Sequence, residues 1–280
     1  MRGQKRVRVG VTMGDPAGIG PEIALAAVAN RRVVDACEVV LYGPQTPSER
    51  ARFTPGVLSA DAGRVALAAV ERAVADALAG RLDAIATGPI NKQALKLAGS
   101  SWLGHTELLG HLTGSREVAM MFYSPRLSVV LATVHVPLSV VPQLLTQARV
   151  EAVVSLAAAE LPRFGVVKPR LAVAGLNPHA GEGRLLGNED CDVIAPAVES
   201  ARQRGIDVVG PLPADTVFRQ AVEGCFDVVL ACYHDQGLIP VKLAAFGEAV
   251  NVTLGLPIIR TSVDHGTAFD IAGRGVADET

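Results

Sequence analysis

The chain has 280 residues, 49% hydrophobic and 19% charged, with 26 basic against 28 acidic side chains and a net charge of −2. That composition supports a large buried core and excludes intrinsic disorder. The balanced charge offers no single-sign field to grip nucleic acid or an anionic membrane, so neither is expected as a partner.

No apolar run reaches the ~20 residues of a membrane span. The basic start, Met1-Arg-Gly-Gln-Lys-Arg6, leads into an apolar stretch that stops at Asp15-Pro16, too short for a signal peptide with its cleavage site. Cys37, Cys191, Cys225 and Cys232 form no C-x-x-C pair and read as reduced core thiols of a cytoplasmic protein.

In chain order, β-branched runs predict strands over Val7–Met13, Glu38–Tyr42, Asp83–Thr87, Val118–Phe122, Leu127–Val134, Leu171–Leu176, Asp227–Cys232 and Val250–Leu254. Several are apolar throughout, as strands covered on both faces are. Amphipathic helices are predicted over Asp61–Ala79 and Glu189–Arg204, the second capped by Asn188 with Glu189 and Asp190 in its first turn. Pro44 to Pro55 reads as a loop. The alternation predicts an α/β fold with a largely parallel sheet: one chain-long unit, 1–280, of two subdomains whose boundary composition does not mark.

Polar residues gather at predicted strand ends, where open α/β sheets bind ligands. Thr12-Met-Gly-Asp-Pro-Ala-Gly-Ile-Gly-Pro-Glu22 follows a strand and opens a helix. It is either a phosphate-approaching loop or a tight turn with Pro21 starting the helix; its spacing is not G-x-G-x-x-G. Thr87-Gly-Pro-Ile-Asn-Lys92 brings a lysine to the same edge.

Four of six histidines stand beside strand ends or glycine-rich turns: His105, His135, His179 and His234. Separations of 44 and 55 residues between the last three match no zinc finger, but three histidines from distant strand ends would suit an open catalytic metal site. A structural reading of each histidine stays open at this point. His265, in Asp264-His-Gly-Thr267, reads as a turn pin, and His111 is weaker still. Lys242, after a predicted helix, Asn251, within a strand, and Arg260 complete the polar set. With 5 lysines against 21 arginines, Lys92 and Lys242 stand out as point charges for an anion, and Arg260 as a bidentate fork or a surface ion pair.

Met13-Gly-Asp-Pro-Ala-Gly-Ile-Gly-Pro-Glu22, Thr87-Gly-Pro-Ile-Asn-Lys92, Gly104-His-Thr-Glu107, Leu176-Asn-Pro-His-Ala-Gly-Glu182, Tyr233-His-Asp-Gln-Gly237 and Thr261-Ser-Val-Asp-His-Gly-Thr267 together resemble the 4-hydroxythreonine-4-phosphate dehydrogenase family of pyridoxal phosphate biosynthesis. The resemblance runs in order from about Val9 to Gly275, although the chain is short between Tyr42 and Ser59. It implies two α/β domains around a central cleft, similar to the isocitrate and isopropylmalate dehydrogenase fold, in a homodimer with the active site at the subunit interface. His135, His179 and His234 match the family's divalent-metal ligands, commonly zinc, with magnesium or cobalt as alternatives. His105, Thr106, Lys242, Asn251 and Arg260 match its substrate contacts.

The implied activity is NAD- or NADP-dependent oxidation of 4-phosphohydroxy-L-threonine to a β-keto acid, which decarboxylates to 3-amino-2-oxopropyl phosphate. The alternative substrate is D-erythronate or D-threonate 4-phosphate, in sugar-acid catabolism. An aromatic dihydrodiol dehydrogenase and a metal-dependent phosphate-ester hydrolase are further rivals. Lys92, Asp215 and Asp235 are the candidate general bases, and no cofactor contact is assigned. As a working division of a shared metal site, His135 comes from one chain and His234 from the other.

Overall fold

The computed structural model describes residues 6–102 and 104–278, so the basic stretch Met1 to Lys5 lies outside the described residues. The strands are β1 (Val7–Thr12), β2 (Cys37–Tyr42), β3 (Ala84–Thr87), β4 (Ala119–Tyr123), β5 (Val129–Leu131), β6 (Leu171–Ala174), β7 (Val208–Leu212), β8 (Val228–Ala231), β9 (Val250–Leu254) and β10 (Ile259–Ser262). The chain divides into two compact units, one of residues 1–116 with 256–280 and the other of residues 117–255.

In the first unit the strands run in the order β2-β1-β3-β10, all parallel. The helix Ala60–Leu78 covers this sheet with a stripe of small residues at helical spacing, Ala62, Ala66, Ala69, Val70, Ala73, Val74 and Ala77, all buried. The Ser59 side chain starts it by accepting the Ala62 N–H at 3.1 Å. Within the predicted loop Pro44 to Pro55 there is a short helix, Pro47–Arg50. Thr46 and Glu49 make a reciprocal capping box there, a signal that three prolines had masked.

The second unit has the order β9-β4-β5-β8-β6-β7, parallel except that β4 runs antiparallel to β5 and β9. Side chains alternate along each strand, and both faces are covered. Val130, Leu171, Val173, Val228 and Leu230 enter one core with the helices Gln147–Glu160 and Ala195–Gln203. Their neighbours Val129, Leu131, Ala172, Val229 and Ala231 enter the other, against Ala214–Val222 and His234–Ala245. Burial on both sides is why these strands read as unbroken apolar runs.

The predicted strand Leu127–Val134 shortens to β5, and two strands escaped prediction. β7 contains Gly210 and Pro211, a donor-poor pair that only a sheet edge tolerates, and β7 lies at the edge. β10, Ile-Arg-Thr-Ser, is too polar and short for a periodicity signal. The predicted helix Glu189–Arg204 opens as a wider π turn over Asp190–Ile194 before Ala195–Gln203. Its start is not capped by the Asn188 side chain; the Asn188 carbonyl accepts from Cys191 and Asp192, at 3.1 and 2.8 Å. Asp190 is fully buried and receives the Leu176 and Asn177 N–H groups at 2.8 and 3.1 Å. All four cysteines are free, but only Cys232 is a core thiol, and Cys225 is exposed. Among the described residues no helix is long and apolar enough to cross a membrane.

Candidate active site

In the first unit, residues Met13 to Gly20 after β1 are buried. The loop is stitched by its backbone: Asp15 N–H donates to the Pro89 carbonyl at 2.9 Å, Gly18 N–H to the Asp15 carbonyl at 3.0 Å, and Ile19 N–H to Thr267 at 3.0 Å. Asp15 Oδ1 accepts the Ala17 N–H at 2.9 Å, while Oδ2 is enclosed without a partner. Burial raises the Asp15 pKa, and the Ala17 N–H partly opposes it. The helix after this loop runs Gly20–Ala29, so Pro21 is its second residue. In the Thr87 turn, Asn91 caps the helix Lys92–Leu97 and Lys92 is exposed.

Arg260, on β10, is 3% exposed and is no surface ion pair. Its Nε and Nη2 donate to Thr87 Oγ1 at 3.1 and 2.7 Å. Burial lowers its pKa to about 10, leaving it charged near neutrality. His105 and Thr106 open the helix His105–Thr113 behind Gly104. The His105 Nε2 is enclosed and has no hydrogen-bond partner. Desolvation, with the Arg260 charge second, pushes its pKa down to about 3, so the ring is neutral near neutrality. His265 Nδ1 lies 2.9 Å from the Gly266 carbonyl, the turn pin read from the sequence. His111 stacks on Trp102, ring centroids 4.7 Å apart.

A prediction follows from His105. The unfolded ring takes up a proton near pH 6.5, whereas the folded ring resists until about pH 3. The stabilisation is therefore complete above pH 6.5 and is lost as pH falls toward the folded value. Between pH 6.5 and 4.5 the wild type should lose about 2 kcal/mol more than His105→Gln, at ~1.4 kcal/mol per pH unit. Denaturant titrations at both pH values check this; parallel losses would contradict it.

In the second unit, β5 and β8 are parallel neighbours, and the segments after them bring His135 and His234 together, ring centroids 5.3 Å apart. His234 Nδ1 is 2.7 Å from Asp235 Oδ1, an arrangement that leaves Nε2 for a ligand and orients the ring. These two histidines thus stand together within one chain, whereas the working division set them in different subunits. His179 is exposed at φ 54°, in a stretch where Ala180, Glu182 and Arg184 also have positive φ. Such strain in non-glycine residues persists where the surroundings over-determine it and clusters at functional sites.

Among the described residues, no group of three His, Cys, Asp or Glu side chains is gathered to hold a metal ion. The chain thus supplies a fitting pair of imidazole donors rather than a closed set. Lys242 lies in the last turn of the helix His234–Ala245, not after it, and is exposed. Asn251, on β9, is 8% exposed and its Oδ1 is enclosed without a partner. Of the candidate bases, Asp215 is exposed in the first turn of Ala214–Val222, and Asp235 is engaged with His234.

The turns that Thr12 and Thr87 open are legible in the sequence, but a role for either hydroxyl is not, because a threonine ending a strand carries no chemical signal of its own. Sequence reasoning missed a cavity of about 230 Å³ beside the end of β2, lined by Gly43, Pro44, Arg52, Phe53 and Arg72 among others, and by none of the expected site residues.

Comparison with known proteins places these residues in context. A D-threonate 4-phosphate dehydrogenase of Salmonella typhimurium is 48% identical over 96% of this chain and 94% of its own. A 4-hydroxythreonine-4-phosphate dehydrogenase of Desulfosudis oleivorans is 46% identical over 98% and 92%. The crystal structure of a 4-hydroxythreonine-4-phosphate dehydrogenase from Klebsiella pneumoniae superposes with a TM-score of 0.92 at 42% identity, covering 99% of this chain and 95% of that one. A β-decarboxylating dehydrogenase from Thermococcus kodakarensis shares the fold alone, with a TM-score of 0.57 at 18% identity over 98% and 79%. That likeness bears out the expected isocitrate/isopropylmalate dehydrogenase-like class. The family described as pyridoxal phosphate biosynthetic protein PdxA matches residues 16–280, and the chain belongs to it.

Proposed function

We propose that this protein is a dehydrogenase of a four-carbon, 4-phosphorylated 3-hydroxy acid, using NAD or NADP and a divalent metal, zinc first. The substrate assigned first is 4-phosphohydroxy-L-threonine, whose oxidation gives a β-keto acid that loses carbon dioxide. The observation that carries this is identity of 46–48%, along nearly the whole chain, to enzymes named for two such substrates. D-threonate 4-phosphate is the second reading, favoured by the 48% relative; it differs by a hydroxyl in place of the amine. The four free cysteines suit a reducing compartment, the cytoplasm.

When bound, the nicotinamide takes up the hydride and the metal ion stabilises charge on the reacting oxygen as a Lewis acid. The rest falls to the chain. In the first unit buried Arg260 presents a fixed planar cation to an oxyanion of the substrate, and in the second unit Lys242 is an exposed cation. Neutral His105 and the Asn251 amide, each with an enclosed unpartnered atom, offer hydrogen bonds that a bound ligand completes.

His135 and His234 would hold the metal from one subunit of a homodimer, with His179 of the other as third donor. What supports this reading is that His135 and His234 stand together within one chain, ring centroids 5.3 Å apart. The experiment is a substrate panel followed by nicotinamide reduction: both phosphorylated acids, each with its dephosphorylated counterpart. Turnover of either phosphorylated acid, and a sharp loss without the phosphate, is the expected result. Equal turnover of the dephosphorylated acids would contradict the assignment.

A further inference from the structure

Thr87 closes β3 at 2% exposure, and both its lone-pair directions are spoken for. Its Oγ1 accepts from Nε and Nη2 of Arg260 at 3.1 and 2.7 Å and donates to the Thr261 carbonyl at 3.4 Å. Two bonds from one guanidinium onto one oxygen fix the plane of the fork, not merely its position. Thr87 thereby helps to set the directions of the other N–H groups, and with them the geometry in which Arg260 meets an anion.

Thr12 ends β1 as the register partner of Thr87, which puts their side chains on the same face of the sheet. It is fully buried, yet its Oγ1 has no hydrogen-bond partner. A buried hydroxyl left unmade is destabilising and is retained where something outside the fold completes it.

We propose that Thr87 is the positioning residue for Arg260, and that Thr12 is a further direct contact to the same substrate oxyanion. This rests on Arg260 being a substrate contact. The oxyanion is a phosphate or a carboxylate, which Arg260 and a hydroxyl bind alike.

Steady-state kinetics on the better phosphorylated acid test it. Thr87→Val keeps the shape and removes the acceptor, so KM should rise about tenfold with kcat within about twofold. Thr87→Ser should restore KM. In an Arg260→Lys background, Thr87→Val should add less than about twofold, because no fork remains to be aimed. Thr12→Val should also raise KM about tenfold, while the ligand-free protein unfolds at the same or a higher temperature, having shed an unmade polar group.

Weaker competition by inorganic phosphate in these variants would support the proposal with phosphate as the oxyanion; weaker competition by the dephosphorylated acid would support it with the carboxylate. An unchanged KM in Thr87→Val, with KM raised in Arg260→Lys, would overturn the positioning role and leave Arg260 standing. An unchanged KM in both would overturn the Arg260 assignment itself. A lower Tm for Thr12→Val with unchanged KM would make Thr12 structural and remove it from the site.

Discussion

His234→Ala should strip the protein of its divalent metal and lower turnover about a thousandfold, the scale of several kcal/mol of Lewis-acid stabilisation at ~1.4 kcal/mol per decade. The fold should survive, since His234 is a half-buried first residue of its helix rather than a core side chain. Asp235 should not substitute for it: its Oδ1 is 2.7 Å from the histidine Nδ1, on the side away from Nε2. Refolding variants together tests the division of ligands. If both histidines serve one site from the same chain, as proposed, His135→Ala with His234→Ala should recover nothing, since every site in the mixed dimer then lacks one. His179→Ala with either should recover about a quarter of wild-type activity, from half the dimers with one intact site each. Full activity of His234→Ala in the presence of a chelator would remove the metal from the account. Recovery from the first mixture would restore the split between chains.

The second large effect is on stability. Gly14→Ala should cost about 4 kcal/mol, at the upper end for a single substitution. Gly14 has φ +68°, and a Cβ there would lie 2.1 Å from the Pro89 carbonyl oxygen, which cannot give way without moving the turn after β3. The same displacement would break the Asp15 N–H bond to Pro89. Gly80 is the control, with φ +69° and nothing within 4 Å of its Cβ position. Gly80→Ala should therefore cost only about 1 kcal/mol, the backbone preference alone. Denaturant midpoints for the two variants check the contrast. Equal losses would show that the clash at Gly14 relaxes.

Much of this was legible in the residues themselves. The strands of the second unit's core announce themselves because their alternate side chains are apolar on both faces. β7 and β10 do not, since an edge strand tolerates Gly210-Pro211 and a four-residue strand carrying Arg260 has no apolar pattern to show. The histidines stood out by their glycine-rich settings. That His135 and His234 meet did not, because it depends on β5 and β8 being neighbours, a long-range fact with no trace in local sequence. The loop after β1 reads in one dimension as either a phosphate-approaching loop or a tight turn. Folded, Gly14 packs on Pro89, Gly18 on Thr267 and Gly20 on the Met13 carbonyl, and the Asp15 and Ile19 N–H groups bond to Pro89 and Thr267, so close packing accounts for these glycines. Thr87 opens a legible turn, but its hydroxyl acquires meaning only once Arg260 arrives from β10, 173 residues later.

The most direct measurement follows three products in one reaction of the metal-loaded protein with 4-phosphohydroxy-L-threonine and, separately, D-threonate 4-phosphate: reduced nicotinamide, carbon dioxide and inorganic phosphate. The account predicts reduced nicotinamide and carbon dioxide in equal amounts from at least one of the two acids, with no phosphate released. Phosphate release without nicotinamide reduction would contradict it and identify a hydrolase instead.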